Sequence, residues 1–317
     1  MNMQLAKDRF LWALAYCIII LLAAAPIAQA AVIVDDSWAD GGRDNGADPS
    51  DSNWSTSSSS SGIEVSTGSL GMVTGTSGRG IHTVFPTQTL ANVGDSLVAT
   101  YTFTTPATVG SGGTGAFRVG LFDTLGRAGL DADVSASSGS PNELYGWAEA
   151  TPPTDALPGY MMDMDVGTGS EDINFRQHDT VPTASTPTGR LMGTTTGFSS
   201  ISPSGPDSAY SFAPNTTYSG SLALTRISAT ELQLIGTLGS ASHSVTDEFD
   251  SADIGMLAFW ANSNMFGSSS TPETADNGID FSNVRIEFIP VPEPGSLALT
   301  ILASLLAAWP RRALRNR

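Results

Sequence analysis

Apolar and polar residues alternate, one by one, in short stretches through most of this chain. The clearest stretch is 97–103, whose apolar face consists of Leu97, Ala99, Tyr101 and Phe103. Successive side chains of a β-strand point to opposite faces, so this alternation predicts a strand with one buried face. Between the two ends of the chain, the sequence nowhere keeps the 3.6-residue apolar period of a helix for more than about two turns. The pattern therefore predicts an all-β fold.

Comparable stretches follow along the chain. Their apolar positions include Phe117, Val119 and Leu121; Leu222 and Leu224; Leu232 and Leu234; and Val284, Ile286 and Phe288. Gly, Pro, Asn and Ser, which favour turns, separate these stretches. We expect at least ten short strands in one large domain, because strands at this spacing form β-sandwiches of the jelly-roll type.

The first thirty residues have the order of a secretory signal peptide. Lys7 and Arg9 precede an apolar run, Phe10–Ala25. Small residues then surround the expected cleavage site: Ala28, Ala30 and Ala31. This order predicts export and cleavage by signal peptidase after residue 30. The one cysteine, Cys17, lies in the removed segment, which excludes disulfides and thiolate chemistry from the mature protein.

The last twenty-seven residues, 291–317, combine three features in a fixed order. The triplet Pro292, Glu293 and Pro294 comes first, and the apolar run Leu297–Trp309 follows. Four arginines close the chain: Arg311, Arg312, Arg315 and Arg317. A helix over the apolar run would be about 20 Å long, which is short against a hydrocarbon core of about 30 Å. The arginines mark the cytoplasmic side, so the segment predicts a weak transmembrane helix that anchors the chain transiently.

In this order, residues 291–317 resemble the C-terminal PEP-CTERM sorting segment of exported proteins from exopolysaccharide-producing Gram-negative bacteria. In that family a membrane-embedded exosortase, a transpeptidase-like enzyme with a cysteine nucleophile, recognises the triplet and removes the tail. The resemblance implies that Pro292, Glu293 and Pro294 are the recognition site and that an exosortase-type enzyme is a partner. It also implies release from the inner membrane to the cell surface or the extracellular matrix. The alternative is a proline-rich turn before an ordinary C-terminal anchor.

The region between the two terminal segments is strongly acidic. Residues 31–291 contain 8 arginines and no lysine against 29 acidic residues. Binding to nucleic acid or anionic lipid depends on lysine and arginine side chains that neutralise phosphate, so the composition argues against both partners. An acidic surface instead favours solubility and divalent cations.

Three segments of this region also resemble a loosely defined group of exported bacterial β-sandwich proteins with concanavalin-A-like jelly-roll folds. The segments are AVIVDDSWADGGRDN at 31–45, GAFRVGLFDT at 115–124 and GIDFSNVRIEF at 278–288. In such sandwiches the first and last strands commonly pair, which implies that Val32–Val34 lies beside Phe281–Phe288. The resemblance concerns the fold and not the activity.

The sequence offers little support for catalysis. Asp163 and Asp165 share one face of a predicted strand, but no glutamate flanks them as in the jelly-roll glycosidases that use paired carboxylates. Arg176, His178 and Asp179 lie close together, which would suit a polysaccharide lyase or a sugar-binding cleft. General acid–base chemistry also needs a geometry that spacing alone does not supply. We therefore expect a non-enzymatic protein in which His178, like the other two histidines, is a lone surface residue.

Calcium is the cofactor that the sequence favours most. Two short segments carry several carboxylates, with Asp247, Asp250 and Asp253 in one and Asp276 and Asp280 in the other. Loops rich in oxygen ligands suit a hard cation that takes six to eight of them. The spacing does not match an EF-hand, and the alternative is a pair of solvated acidic turns.

Two classes of function remain open. The first is a non-catalytic surface or matrix protein with three parts: a signal peptide (1–30), a β-sandwich (31–290) and a sorting segment (291–317). The second is a module that binds or cleaves an extracellular polysaccharide. For the second class the best stacking candidates are Tyr145 and Trp147, which alternate on one predicted strand face. Further aromatic candidates are Trp38, Trp54, Tyr160 and Trp260.

Overall fold

The structure is a computed structural model of the chain. It describes residues 29–44, 51–56, 62–74, 78–110, 116–126, 130, 133, 157–165, 173–178, 192–193, 198–205, 211–262, 265–269 and 271–291. Residues Ala30–Ile289 form one compact unit. In these ranges the chain forms strands and their connections, without a helix that is long and apolar enough to span a membrane. Residues 1–28 and 292–317, with the two expected terminal helices, lie outside the described ranges.

The strands form two antiparallel sheets. The eight-stranded sheet contains β1 (Ala31–Asp36), β3 (Ile63–Ser66), β4 (Ser69–Val73), β6 (Ser96–Thr104), β11 (Thr217–Arg226), β12 (Glu231–Leu238), β13 (Ala241–Glu248) and β15 (Gly278–Ile289). The seven-stranded sheet contains β2 (Trp54–Thr56), β5 (Arg79–Thr89), β7 (Ala116–Phe122), β8 (Gly159–Asp165), β9 (Ile173–His178), β10 (Phe198–Ser200) and β14 (Asp253–Ala261). The predicted all-β fold with at least ten strands is confirmed.

The last strand organises the eight-stranded sheet. The sheet order is β13-β12-β11-β6-β15-β4-β3, and β1 also pairs with β15. Because β15 is twelve residues long, β6 can occupy one of its sides while β4 and β1 share the other. Val34 lies opposite Ile286 in the β1–β15 pair, so the predicted pairing of the first and last strands is confirmed.

Large aromatic side chains from both sheets form the centre of the core. The rings of Phe103 on β6 and Phe117 on β7 lie 5.2 Å apart. Phe259 on β14 lies 5.2 Å from Tyr101 and 4.6 Å from Phe281 on β15. These rings are fully buried and tilted against one another, which is the arrangement that aromatic pairs favour. The two sheets therefore pack face to face as a sandwich.

The two outward faces of the sandwich differ. The eight-stranded sheet presents paired hydroxyl groups to the outside, including Thr102 with Ser219 at 3.0 Å and Thr104 with Thr217 at 2.9 Å. The outer face of the seven-stranded sheet carries a second apolar cluster instead, formed by Phe122, Leu130, Leu157, Met161, Met192, Phe198, Met256 and Ala258. Three of these residues come from connecting segments, so parts of the chain outside the sheet lie over this face.

Candidate functional site

A row of polar and aromatic residues crosses the outer face of the seven-stranded sheet beside this cluster. Trp260 on β14 lies opposite Arg118 on β7, Arg118 lies opposite Asp163 on β8, and Asp163 lies opposite Asn174 on β9. Their neighbours along each strand alternate into the core, as in Phe117 and Val119. The register of three strand pairs thus brings together residues that are far apart in the sequence.

The centre of the row is a triad of two arginines and one aspartate. Arg118 Nε donates a hydrogen bond of 2.7 Å to Asp163 Oδ1, and Arg176 Nε on β9 donates one of 2.8 Å to Asp163 Oδ2. The Nη1 group of Arg118 donates to the carbonyl of Met192 at 2.6 Å. The Nη1 group of Arg176 donates to Ser200 Oγ on β10 at 2.8 Å. The triad therefore ties β7, β8, β9, β10 and the segment at residue 192 together.

The triad is mostly shielded from solvent. The side chain of Asp163 is 6% exposed, that of Arg118 is 11% exposed and that of Arg176 is 21% exposed. Electrostatic interactions are stronger in such a place than at an open surface, because less water screens them. Two guanidinium groups share one carboxylate here, which leaves one positive charge among the described side chains of the triad. This charge stands out in a chain with a formal net charge of −17.

Trp260 gives the site an aromatic wall. It is half-buried and packs against the second apolar cluster. The other large aromatic candidates are placed differently, because Trp38, Trp54 and Tyr160 are buried in the core between the sheets. Trp54 Nε1 donates to Asp36 Oδ2 at 2.7 Å, and burial raises the pKa of Asp36. Of these four candidates, Trp260 is the one that lies on the outer face of the seven-stranded sheet.

Two of the three histidines are buried, so the expectation of lone surface residues was wrong for them. A ring nitrogen of His82 lies 2.6 Å from the carbonyl oxygen of Leu130, and the His82 side chain is fully buried. His178 Nδ1 lies 2.7 Å from the carbonyl oxygen of Leu157, and its ring stacks on Phe198 at 4.5 Å. Both rings hold connecting segments against the sheet, because a buried polar ring needs a hydrogen-bond partner.

The carboxylates of the first acidic segment differ in their surroundings. Asp253 Oδ1 accepts a hydrogen bond of 2.5 Å from Thr89. Asp247 lies beside Asp250, and burial together with this neighbour raises the pKa of Asp247. Its Oδ2 atom is buried and accepts no hydrogen bond from the described residues.

The second acidic segment lies elsewhere in the sandwich. Asp276 accepts hydrogen bonds from Thr108 and Ser268, which lower the pKa of Asp276. It follows the far end of the nine-residue strand β14 that Asp253 begins, a strand about 30 Å long. Asp280 is exposed on β15 opposite Thr104. Within the described ranges, no three His, Cys, Asp or Glu side chains form a group that could hold a metal ion. The predicted calcium site therefore has no support in these segments.

Several predicted site residues lie outside the described ranges. These are Tyr145 and Trp147, the triplet Pro292, Glu293 and Pro294, and the cleavage-site residue Ala28. Ala30 lies just before β1, and Ala31 is the first residue of that strand. The expected cleavage would thus leave β1 complete, although the cleavage itself stays a prediction.

Sequence reasoning found parts of this site but not their arrangement. The sequence predicted Asp163, Arg176 and Trp260 as candidates for separate sites, and it did not predict Arg118. A signal for Arg118 was present, because it is the one charged residue in the otherwise apolar strand Ala116–Phe122. A charge in such a strand needs a partner, and only the strand register identifies Asp163 as that partner.

Comparison with known proteins gives a likeness in shape only. No family model matches the chain, and no curated protein matches it. A basic winged bean lectin with Tn-antigen aligns with a TM-score of 0.44 at 7% identity, over 83% of this chain and 100% of the lectin. The metal-free Emp46p carbohydrate recognition domain aligns with a TM-score of 0.42 at 10% identity, over 74% of this chain and 87% of that domain. Lectin I from Ulex europaeus with the methyl glycoside of α-L-fucose aligns with a TM-score of 0.42 at 10% identity, over 82% and 98%.

These solved structures are lectins and carbohydrate-recognition domains. TM-scores below 0.5 carry no argument for function. The fold of this chain therefore rests on its own strand order, and its site on its own residues.

Proposed function

We propose that this chain is an exported, non-catalytic carbohydrate-binding protein whose glycan lies on the outer face of the seven-stranded sheet. The observation that carries the proposal is the row formed by Trp260, Arg118 and Asp163, together with Arg176. It places a half-buried indole beside a rigid group of hydrogen-bonding side chains. Ligand sites typically combine apolar and aromatic walls with a few fixed polar groups.

The chemistry of the row suits a sugar. The C–H face of a pyranose ring is apolar and flat enough to stack on the indole of Trp260, while its hydroxyl groups accept hydrogen bonds from guanidinium groups. Arg118 and Arg176 are held in place through Asp163, so little side-chain freedom remains to be lost on binding. The site is preorganised in this sense.

A binding role agrees with the site better than a catalytic one. Glycosidases use two carboxyl groups, about 5 to 9.5 Å apart, as acid and as base or nucleophile. Among the side chains described on β7, β8 and β9, Asp163 is the one carboxylate, and each of its oxygens accepts a guanidinium hydrogen bond. His178 is engaged with the carbonyl of Leu157. We therefore propose no enzymatic activity.

Sorting through the C-terminus completes the proposal. The order of residues 291–317 supports it: the triplet Pro292, Glu293 and Pro294, then a short apolar run, then arginines. We propose that signal peptidase and an exosortase-type enzyme process the chain on its way to the cell surface or matrix. Extracellular polysaccharide would be the partner there, and the boundaries would be 1–30, 31–290 and 291–317.

A glycan array with and without added calcium tests the binding proposal. The exported wild-type protein should bind at least one glycan class. Trp260→Ala should lose that binding, because it removes the stacking surface. Phe249→Ala is the matched control, since Phe249 is also half-buried but contacts Arg226 away from the site. Wild-type protein that binds no glycan, or equal binding by both variants, would contradict the proposal.

A further inference from the structure

We infer that the sugar bound at this face carries a carboxylate, as in a uronic-acid-containing glycan. The inference rests on the proposed function and concerns the same site. It starts from the charge of the triad, in which Arg118 and Arg176 share the one carboxylate of Asp163.

Among the described side chains, one positive charge of the triad has no counter-charge, and it lies where solvation is poor. The arginine side chains are 11% and 21% exposed, so water compensates their charge less than it would at an open surface. An anionic group on the ligand would supply the second negative charge. A neutral sugar would displace water from the site without supplying a negative charge.

The hydrogen bonds of the two arginines leave suitable donors. Each arginine uses Nε on Asp163 and Nη1 on a neutral acceptor, which is Met192 O for Arg118 and Ser200 Oγ for Arg176. Neither Nη2 group donates a hydrogen bond to another described residue. The guanidinium plane matches a carboxylate in geometry, and a charge-assisted hydrogen bond is about twice as strong as a neutral one.

The acidity of the whole chain limits which anions fit. A Debye length of about 8 Å at physiological ionic strength screens the acids on distant parts of the molecule, but not the direct contacts of the triad. One uronate group at the site is therefore attracted electrostatically by both arginines. A long phosphate polyanion would meet the acidic surface on either side, without the row of lysine and arginine that such ligands require.

Uronate oligosaccharides and their carboxyl-reduced counterparts test the inference, because each pair differs only in the charged group. We would measure binding of the exported protein to oligogalacturonate and to oligomannuronate, each against its reduced form, by isothermal titration calorimetry. At least one acidic oligosaccharide should bind ten times or more as tightly as its neutral counterpart. This comparison needs no variant and does not depend on the folding of one.

Two charge variants then show which arginine causes the preference for the acidic oligosaccharide. Arg176→Gln should bring the acidic and neutral forms to within about twofold of each other. Arg285→Gln removes the same charge from the opposite sheet, where Arg285 pairs with Asp35 and Glu287, and should keep the tenfold preference. A thermal melt of each variant would check that it folds.

The outcomes separate the inference from the proposed function. If the protein binds neutral glycans as well as or better than uronates, the inference is wrong and carbohydrate binding stands. If it binds neither uronates nor any neutral glycan of an array, both are wrong. If Arg285→Gln loses the preference as fully as Arg176→Gln does, the effect is general electrostatics and the site assignment is wrong.

Discussion

Replacing Asp163 by asparagine should destabilise the protein by about 2 to 3 kcal/mol. The change keeps the shape of the side chain but removes the carboxylate that Arg118 and Arg176 share. Breaking a fully buried ion pair costs about 3 to 5 kcal/mol, and losing an exposed pair costs about 0 to 1 kcal/mol. Side-chain exposures of 6%, 11% and 21% place the triad between these limits, nearer the buried one.

Urea denaturation followed by tryptophan fluorescence would measure this loss, and a thermal melt would show it as about 4 to 10 °C in a domain of this size. Asp35→Asn is the matched control, because Asp35 and its partner Arg285 are each 35% exposed; we expect a clearly smaller loss of stability there than for Asp163→Asn. Arg176→Gln should be less damaging in the Asp163→Asn background than in the wild type, since it then removes one of two repelling charges. Equal losses for the two aspartate variants, or additive effects of Asp163→Asn and Arg176→Gln within about 0.5 kcal/mol, would refute the reasoning.

Three further predictions concern the core, the acid response and processing. Phe103→Ala should lower the free energy of unfolding by about 3 to 5 kcal/mol in urea denaturation, and Phe103→Leu by clearly less, because the ring fills the centre of the core. Burial is the main reason that the pKa of Asp247 is raised in the folded state, so ionisation of Asp247 destabilises the fold at neutral pH. This destabilisation disappears as the pH falls towards 3.8, the ordinary pKa of an aspartate. Asp247→Asn should reduce the gain in stability on acidification, whereas a pH profile identical to that of the wild type would contradict the assignment. Mass spectrometry of protein from its host should find a chain that begins near Ala31 and lacks residues 297–317. An intact tail on released protein would contradict the sorting proposal. Unchanged processing after alanines replace Pro292, Glu293 and Pro294 would contradict it as well.

The fold was accessible from the sequence because strand alternation is a local signal. In 97–103, each residue predicted to face inwards is buried. The pairing of β1 with β15 was also predicted, although it came from the family resemblance and not from local pattern. The alternation can be read from a single strand, and the pairing of β1 with β15 involves only the two ends of the domain.

The site was less accessible, because it depends on register. Arg118 and Asp163 are 45 positions apart, and Asp163 and Arg176 are 13 apart. Periodicity places each of them on a strand face but does not say which residues of neighbouring strands stand opposite. His82 and His178 show the same limit, since their burial results from connecting segments that cover the sheet.

Hydrogen exchange with a saturating glycan tests the central claim most directly, because it reports where the ligand binds. The assignment predicts slower exchange in peptides that contain β7, β8, β9 and β14, and no change in β11, β12 and β13 of the opposite sheet. Protection confined to the hydroxyl-rich outer face of the eight-stranded sheet, or none on β7, β8 and β9, would contradict it.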